Sequence, residues 1–310
     1  MDGVPKTRGF VTMAVGKEYY YLLAKNLLIS YKFHNPAPFP FAIICDKENA
    51  TTALFDDVVI IDSPSYSYLD KLRLAELAPY DETIFIDADS LILKDLGGLW
   101  DVVDGAPDFG IFGAVYDPAT EKGKMHLDRA GRLRDRMNFP CTCQGGMYFI
   151  RKSDKLVPFM ELSFFILKNF SEFQEPGHPN PSDDTIFPLA CSIFNFPPPE
   201  DWYKLFCFVP ESDIHYLNVV EGKISYDWHW LKGALGPGCY FVHFTTKATK
   251  EWLYNREMYR LSCSVNGKKR SFLRLAAIWL SCWATTLSRA IVYYSKVLAY
   301  RVLRFLRLRP

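Results

Sequence analysis

The fold is best predicted from the segment Thr83-Ile84-Phe85-Ile86-Asp87-Ala88-Asp89, followed by Ser90-Leu91-Ile92-Leu93. The apolar run before Asp87 predicts a buried strand that carries two carboxylates to its C-terminal end. Carboxylates spaced in this way can face one cation, and such oxygen ligands suit Mg²⁺ or Mn²⁺, which also bind substrate phosphates. The alternative is a solvated turn after a strand, so the rest of the sequence must decide between them.

Composition indicates a folded protein with a substantial core. The chain has 310 residues, of which 49% are hydrophobic and 16% aromatic, and these values exclude global disorder. The formal net charge is +1, which favours no class of partner. The eight cysteines form no Cys-x-x-Cys pattern, so we expect neither a zinc nor a redox site. The N-terminus lacks the apolar core of a signal peptide, and we therefore expect a reducing, cytoplasmic compartment.

Strands and helices alternate along the chain. The buried strands are predicted at residues 9–15, 39–45, 57–61, 83–86, 108–115, 145–150 and 239–244. The helices are predicted at residues 17–31, 70–77 and 155–170. We expect residues 117–139 to form a mobile excursion and residues 196–240 to be irregular. This alternation predicts an α/β domain with a mostly parallel, Rossmann-like central sheet and ligands at the C-terminal ends of its strands.

Several polar features follow one another in a fixed order. They are Lys71, the Asp87/Asp89 pair, Gln144-Gly145-Gly146, Asp183-Asp184, and His243 with a downstream lysine. Together they resemble the nucleotide-sugar glycosyltransferases of the GT-A fold, in particular glycosyltransferase family 8, which includes glycogenin and lipopolysaccharide galactosyltransferases. The similarity runs from about Gly9 to Trp252, and the segment from Lys71 to Leu99 is its most specific part.

The resemblance implies a divalent metal held by Asp87, Asp89 and His243. Asp87 would lie near the donor ribose and the metal, Asp89 would bind the metal directly, and His243 would be the third ligand. Imidazole suits Mn²⁺ better than Mg²⁺, so Mn²⁺ is the expected cofactor, with Mg²⁺ as the alternative. A histidine at the end of an apolar strand is otherwise a packed core residue.

The resemblance also implies a UDP-sugar donor. The residues expected to contact it are Thr12, Ala14, Tyr19, Asp46, Lys71, Asp87, Ala88, Gly145 and Lys250. Tyr19 or its neighbour Tyr20 would stack on the uracil. The sequence departs from the family pattern after His243, where Thr246 stands at a glycine position and Glu251 at a proline position. Lys247 and Lys250 therefore both remain candidates for the diphosphate contact.

Three residues are expected at the transferred sugar and are the catalytic candidates, namely Gln144, Asp183 and Asp184. The Gln144 amide can bind sugar hydroxyls, and the adjacent carboxylates can bind hydroxyls or stabilise oxocarbenium character. Purely structural roles compete with these, since Gly-Gly favours a tight turn and Ser182 would cap a helix. The family transfers sugars with retention of anomeric configuration, which we carry over as an expectation.

The C-terminal segment differs in character from the domain expected at residues 6–255. Residues 268–310 combine Lys and Arg with Trp, Tyr and Leu, and the longest uncharged stretch, 275–288, has 14 residues. A membrane span needs roughly 20 apolar residues, so basic amphipathic helices lying on a membrane surface fit better. Helices packed on the domain are the alternative, and the apolar density argues against nucleic acid binding.

The sequence thus predicts metal-dependent transfer of a hexose-type sugar from a UDP-sugar to a saccharide or lipid-linked acceptor. A sugar-phosphate nucleotidyltransferase is an alternative, but it would need a glycine-rich loop after the first strand, where Gly16 stands alone. The second alternative is a non-catalytic, membrane-associated scaffold on a glycosyltransferase fold. The altered loop after His243 is compatible with that alternative.

Overall fold

The structure is a computed structural model and describes residues 7–173, 180–199, 204–228 and 239–288. Its centre is a six-stranded sheet made of β1 (Arg8–Ala14), β2 (Phe41–Cys45), β3 (Asp57–Ile60), β4 (Glu82–Ile86), β6 (Phe109–Ile111) and β7 (Met147–Arg151). The strand order is β3-β2-β1-β4-β7-β6. The first four strands are parallel, whereas β7 runs antiparallel to β4 and β6. The predicted α/β fold with a mostly parallel sheet is therefore confirmed.

Helices cover both faces of this sheet. They are α1 (Glu18–His34), α2 (Leu74–Leu77), α3 (Leu99–Val103), α4 (Glu121–Asp128), α5 (Leu156–Lys168), α6 (Asp183–Phe194) and α7 (Trp252–Val265). Successive strand residues point to opposite layers, so Ile84 packs in the layer of α1, α3 and α7, and Phe85 in the layer of α2, α5 and α6. α7 runs past residue 255, and its Leu261 is buried in the first layer.

Two smaller sheets complete the described structure. β5 (Ser90–Ile92), β11 (Phe241–His243) and β8 (Phe206–Phe208) form one, and β9 (Ser212–Asn218) pairs with β10 (Lys223–Trp228) in the other. β5 follows β4 after a gap of three residues and pairs antiparallel with β11, which sets His243 opposite Ser90. This pairing brings the late histidine to the carboxyl end of β4.

Two segments are more regular than the sequence indicated. Residues 117–139 contain α4, whose first turn is capped by the Thr120 hydroxyl accepting from the Gly123 N–H at 3.1 Å. Residues 196–240 contain β8, β9 and β10, so the expectation of irregular structure there was wrong. Residues 117–139 are rich in polar residues and residues 196–240 in proline and aromatic residues, and neither composition gives a clear local apolar pattern.

The C-terminal segment is described as far as residue 288. Residues 272–288 are helical, and the rest of the predicted tail, 289–310, lies outside the described residues. Within the described part of the chain, no helix is both long enough and apolar enough to cross a membrane.

Candidate metal and donor site

Three side chains from distant parts of the sequence converge at the end of β4. Asp87 is the first residue after that strand, Asp89 immediately precedes β5, and His243 ends β11. His243 Nε2 lies 3.1 Å from Asp89 Oδ1 and 3.7 Å from Asp87 Oδ2. One ligand atom from each of the three residues lies within 4.8 Å of the others, a separation that one cation could bridge.

The environment of these atoms fits a divalent cation. Asp89 and His243 are 8% and 6% exposed. Asp89 Oδ1 is buried beside His243 Nε2, which lies 3.1 Å away, and the buried His243 Nδ1 has no hydrogen-bond partner among the described residues, an arrangement that costs free energy when nothing compensates it. Two carboxylates and an imidazole are ligands that Mn²⁺ accepts, so the residues present fit the metal that the sequence indicated.

The charges of the three ligands are strongly interdependent. Although burial opposes ionisation of Asp87, the charges of Lys71 and then His243 hold its pKa below the ordinary value. Burial, followed by the charge of Asp87, raises the pKa of Asp89. Burial opposes the charged form of His243, but Asp89 and then Asp87 raise the pKa of the imidazole. The protonation of each ligand thus depends on the other two, and a cation bound by the imidazole would take the place of its proton.

Lys71 is buried beside this cluster. Its Nζ lies 2.7 Å from Asp87 Oδ2 and 3.2 Å from Asp183 Oδ2, and it donates to the Gly145 carbonyl oxygen at 3.1 Å. Burial lowers the pKa of this ammonium, but the charges of Asp183 and then Asp87 outweigh burial and raise it. Lys71 therefore links the metal-ligand strand to the start of α6.

Asp183 and Asp184 are the first two residues of α6 and have different surroundings. Asp183 is buried and accepts a hydrogen bond from the Tyr148 hydroxyl at 2.8 Å. Asp184 is exposed, yet desolvation by the surrounding protein, followed by the charge of Asp183, raises its pKa. The α6 N-terminus is capped as the sequence predicted, since the Ser182 N–H donates to Thr185 Oγ1 at 3.0 Å.

The turn before β7 is packed closely against both parts of the site. A Cβ atom on Gly145 would lie 2.6 Å from Asp184 Oδ1, and one on Gly146 would lie 2.4 Å from His243 Nδ1. The Gly146 carbonyl also accepts from the Asp87 N–H at 3.0 Å. Only glycine allows this approach. Gln144, in the same turn, donates to Glu211 at 3.0 Å.

A cavity of about 300 Å³ opens beside the Asp87–Asp89 segment. The cavity is lined by Lys71, Ala88 and Thr246. It is also lined by aromatic and aliphatic side chains, namely Met13, Val15, Tyr20, Leu23, Tyr66 and Tyr68. Thr246 Oγ1 lies 3.4 Å from Asp89 Oδ2. The cavity thus places an apolar region next to a charged one, which matches the two ends of a nucleotide.

Tyr66 and Tyr68 are residues that the sequence reasoning missed. Both are more than 60% exposed, and Tyr66 has a φ of +57°, which is unusual for a bulky residue. The Ser65 N–H donates to the buried Asp70 at 2.6 Å and holds the loop in place. The available signal was the run Pro64-Ser65-Tyr66-Ser67-Tyr68, which directly precedes the segment of Lys71.

Some predicted donor residues do not line this cavity. Thr12 and Ala14 point away from Met13 and Val15, and Ala14 packs in the α1 layer. Asp46 Oδ1 accepts from the Gly16 N–H at 3.0 Å and from the Tyr21 hydroxyl.

The loop after His243 brings two other predicted donor residues together. The Tyr19 hydroxyl is 2.8 Å from Thr249 Oγ1, and Lys250 Nζ lies 5.0 Å from the centre of the Tyr19 ring. Lys247 and Lys250 are both exposed. The structure therefore gathers Lys71, Asp87, Ala88 and Asp89 at the cavity, with Tyr19 and Lys250 packed against each other.

The structure is similar to solved structures of glycosyltransferases. Two structures of LgtC, one an active-site variant and one a galactosyltransferase in complex with donor and acceptor sugar analogs, are each 13% identical. Each match covers 83% of this chain and 95% of LgtC, with a TM-score of 0.51. The similarity to LgtC shows that the chain has the GT-A fold.

Other matches are more distant. The bifunctional glycosyltransferase WbbM is 16% identical over 66% of this chain, with a TM-score of 0.45, and the chain spans only 40% of its length. Mouse xyloside xylosyltransferase 1 is 12% identical, with coverage of 77% and 98% and a TM-score of 0.47. No protein-family model and no curated protein matches the sequence.

Proposed function

We propose that the protein is a metal-dependent glycosyltransferase that moves a hexose-type sugar from a UDP-sugar to a saccharide or lipid-linked acceptor. The observation that carries this proposal is the convergence of Asp87, Asp89 and His243 beside a nucleotide-sized cavity. On a GT-A fold, the carboxyl ends of the parallel strands are where a ligand is expected. LgtC, which shares the fold, has been crystallised with donor and acceptor sugar analogs.

The chain's own residues would hold the donor in a defined orientation. Asp87, Asp89 and His243 would hold Mn²⁺, which when bound offsets the charge on a departing diphosphate. Tyr20, Tyr66 and Tyr68 offer rings at the apolar end of the cavity for the base. The exposed ammonium groups of Lys247 and Lys250 are close enough in sequence to His243 to serve the diphosphate.

The sugar would lie between the Gln144 turn and the start of α6. Asp183 is committed to Lys71 and Tyr148, so it supports the geometry of the site. Asp184 is exposed and sits beside Gly145, which suits a carboxylate that binds a sugar hydroxyl or stabilises positive charge at the anomeric carbon. We propose transfer with retention on the basis of the family resemblance.

The compartment forms part of the same proposal. All eight cysteines are free and buried, and unpaired thiols are typical of proteins from a reducing compartment. A cytoplasmic enzyme with an activated nucleotide sugar as donor is consistent with this chemistry.

A panel of nucleotide sugars, tested for Mn²⁺-dependent hydrolysis and for transfer to saccharide acceptors, tests the activity. Binding is tested separately by the increase in the unfolding temperature that UDP and Mn²⁺ produce together, since a ligand of the native state stabilises it. His243→Gln and Asp89→Asn should abolish the joint effect. His215→Gln is the matched control, because His215 is exposed and pairs with Asp227 at 2.9 Å outside the cavity.

The results distinguish the alternatives. Release of pyrophosphate from UTP and a sugar phosphate, without sugar transfer, would identify a nucleotidyltransferase. A wild-type protein that neither UDP with Mn²⁺ nor any nucleotide sugar stabilises would be a scaffold, and the proposal would then be wrong.

A further inference from the structure

The helical residues 272–288 expose an unusual amount of apolar surface. Phe272 and Leu273 are at least 80% exposed, and Trp279, Leu280 and Trp283 are about half exposed. Large exposed apolar side chains are normally scattered singly on a protein surface, whereas these five follow one another along a single helix. Contiguous apolar patches of this kind mark interaction sites.

The opposite face of the same helix is packed against the protein. Cys282 is buried, and Leu275 and Ile278 are half-buried, at the spacing that places residues on one side of a helix. The Ser271 N–H donates to the Tyr259 hydroxyl at 2.8 Å. Burial and then the charge of Glu251 raise the pKa of Cys282. Residue 271 thus lies beside the later part of α7 and residue 282 near its start, so the two helices run antiparallel.

The charged residues on the helix and in the segment just before it are all positive. Lys268, Lys269, Arg270 and Arg274 are exposed at or just before the start of the helix. No acidic residue follows Glu257 in the sequence. A bilayer that contains acidic lipids is anionic at its surface and apolar beneath. Positive side chains next to exposed Trp and Leu side chains complement such a surface.

We propose that the helix at residues 272–288 lies flat on an anionic membrane, with Trp279, Leu280 and Trp283 entering the headgroup region. The exposed cations at 268–270 and 274 contact the lipid headgroups. Because Glu251 ends the loop that follows His243 and lies near Cys282, the helix adjoins the loop that leaves the metal site. That loop lies on the packed side of the helix, opposite the face that meets the bilayer. This inference is independent of the proposed activity.

Co-sedimentation of the full chain with vesicles tests it. The wild-type protein should sediment with phosphatidylcholine vesicles that contain phosphatidylglycerol, more weakly as salt is added, and much less with phosphatidylcholine alone. Trp279→Gln with Trp283→Gln should reduce binding strongly. Lys268→Gln, Lys269→Gln and Arg270→Gln should each weaken binding about fivefold at low salt. The control is Val157→Gln with Phe164→Gln, which removes two exposed apolar residues from α5 and should change nothing.

Each alternative occupant gives a different result. Circular dichroism and the unfolding temperature of each variant confirm that it is folded before its binding is compared. If the folded tryptophan variant still sediments like the wild type, the proposal is wrong. The proposal is also wrong if the wild-type protein does not sediment with anionic vesicles. It is wrong, too, if the wild-type protein is a dimer that the tryptophan substitutions convert to a monomer, because a second copy then covers the exposed face of the helix.

Discussion

Lys71 Nζ lies 3.2 Å from Asp183 Oδ2, and this contact joins the helix expected at the sugar to the strand that carries the metal ligands. The same ammonium lies 2.7 Å from Asp87 Oδ2 and donates to the Gly145 carbonyl. An ammonium group has three N–H donors, and three oxygen atoms surround this one. Lys71 thus fixes two carboxylates relative to each other, a role distinct from the direct donor contact that the sequence suggested.

Replacing Lys71 by methionine should remove the cation that pairs with both Asp87 and the buried Asp183. Breaking a buried ion pair from one side costs about 3–5 kcal/mol, so we expect a loss of that order in the free energy of unfolding. Stabilisation by UDP with Mn²⁺ should also disappear. Denaturant titration measures the first effect and thermal unfolding the second. Lys25→Met, at an exposed position on α1, is the control, and an equally small effect of both substitutions would contradict the assignment.

Gly146→Ala should disturb the metal site through the backbone alone. The added Cβ would lie 2.4 Å from His243 Nδ1, so the imidazole must move away from Asp89. We expect Mn²⁺ affinity to fall by about tenfold or more, as it does when ligand positioning is lost, and isothermal titration would measure it. Gly267→Ala adds a Cβ that meets nothing within 4 Å at a φ of +61°, so it should affect stability only. Unchanged Mn²⁺ affinity in Gly146→Ala would mean that His243 is not a ligand.

Much of the metal site could be predicted from the sequence, because the residues that indicate it are close together in the chain. An apolar strand ending in Asp87-Ala88-Asp89 is visible in one short segment, and alternating strands and helices predict the parallel sheet. The position of His243 came from the family resemblance, since the pairing of β5 with β11 depends on residues about 150 positions apart. The Lys71–Asp183 contact was not predictable, because it requires the orientation of α6 over the sheet.

The first strand shows a second kind of limit. Period-two alternation indicates that Thr12 and Ala14 share one face of β1 and Met13 and Val15 the other. It does not tell which face continues into the cavity. The structure directs Met13 and Val15 there, while Ala14 packs in the α1 layer. A sequence pattern therefore defined the strand but left the choice between its two faces open.

The raised pKa of Asp184 predicts a pH dependence of stability. The native state holds this proton more tightly than the unfolded chain does, so the free energy of unfolding should fall as the pH rises from 3.8 to about 8. Asp184→Asn should make the metal-free protein less sensitive to pH over that interval. Denaturant titrations at several pH values would show this, with Asp154→Asn at an exposed position as the control. Parallel pH profiles for wild type and Asp184→Asn would contradict the prediction.

Tyr66 combines a φ of +57° with 64% exposure at the cavity. A left-handed conformation costs an ordinary residue about 1–2 kcal/mol, and little of this side chain is buried in return. A Cβ on Gly16 would lie 2.9 Å from its ring, so the ring rests against the loop after β1. Such strain, where it persists, accompanies functional positions, and an exposed ring that lines the cavity suits stacking on a nucleobase.

Tyr66→Gly should therefore separate stability from binding. Relief of strain should raise the free energy of unfolding by up to about 1 kcal/mol, while loss of base stacking should weaken UDP binding about tenfold. Mn²⁺ binding should be unchanged, because Tyr66 does not contact the three ligands. Asn195→Gly, at a φ of 56° at the end of α6, changes a left-handed residue away from the cavity and should leave UDP affinity unaltered. Calorimetry decides the matter, since equal UDP affinity in wild type and Tyr66→Gly would exclude a stacking role for this ring.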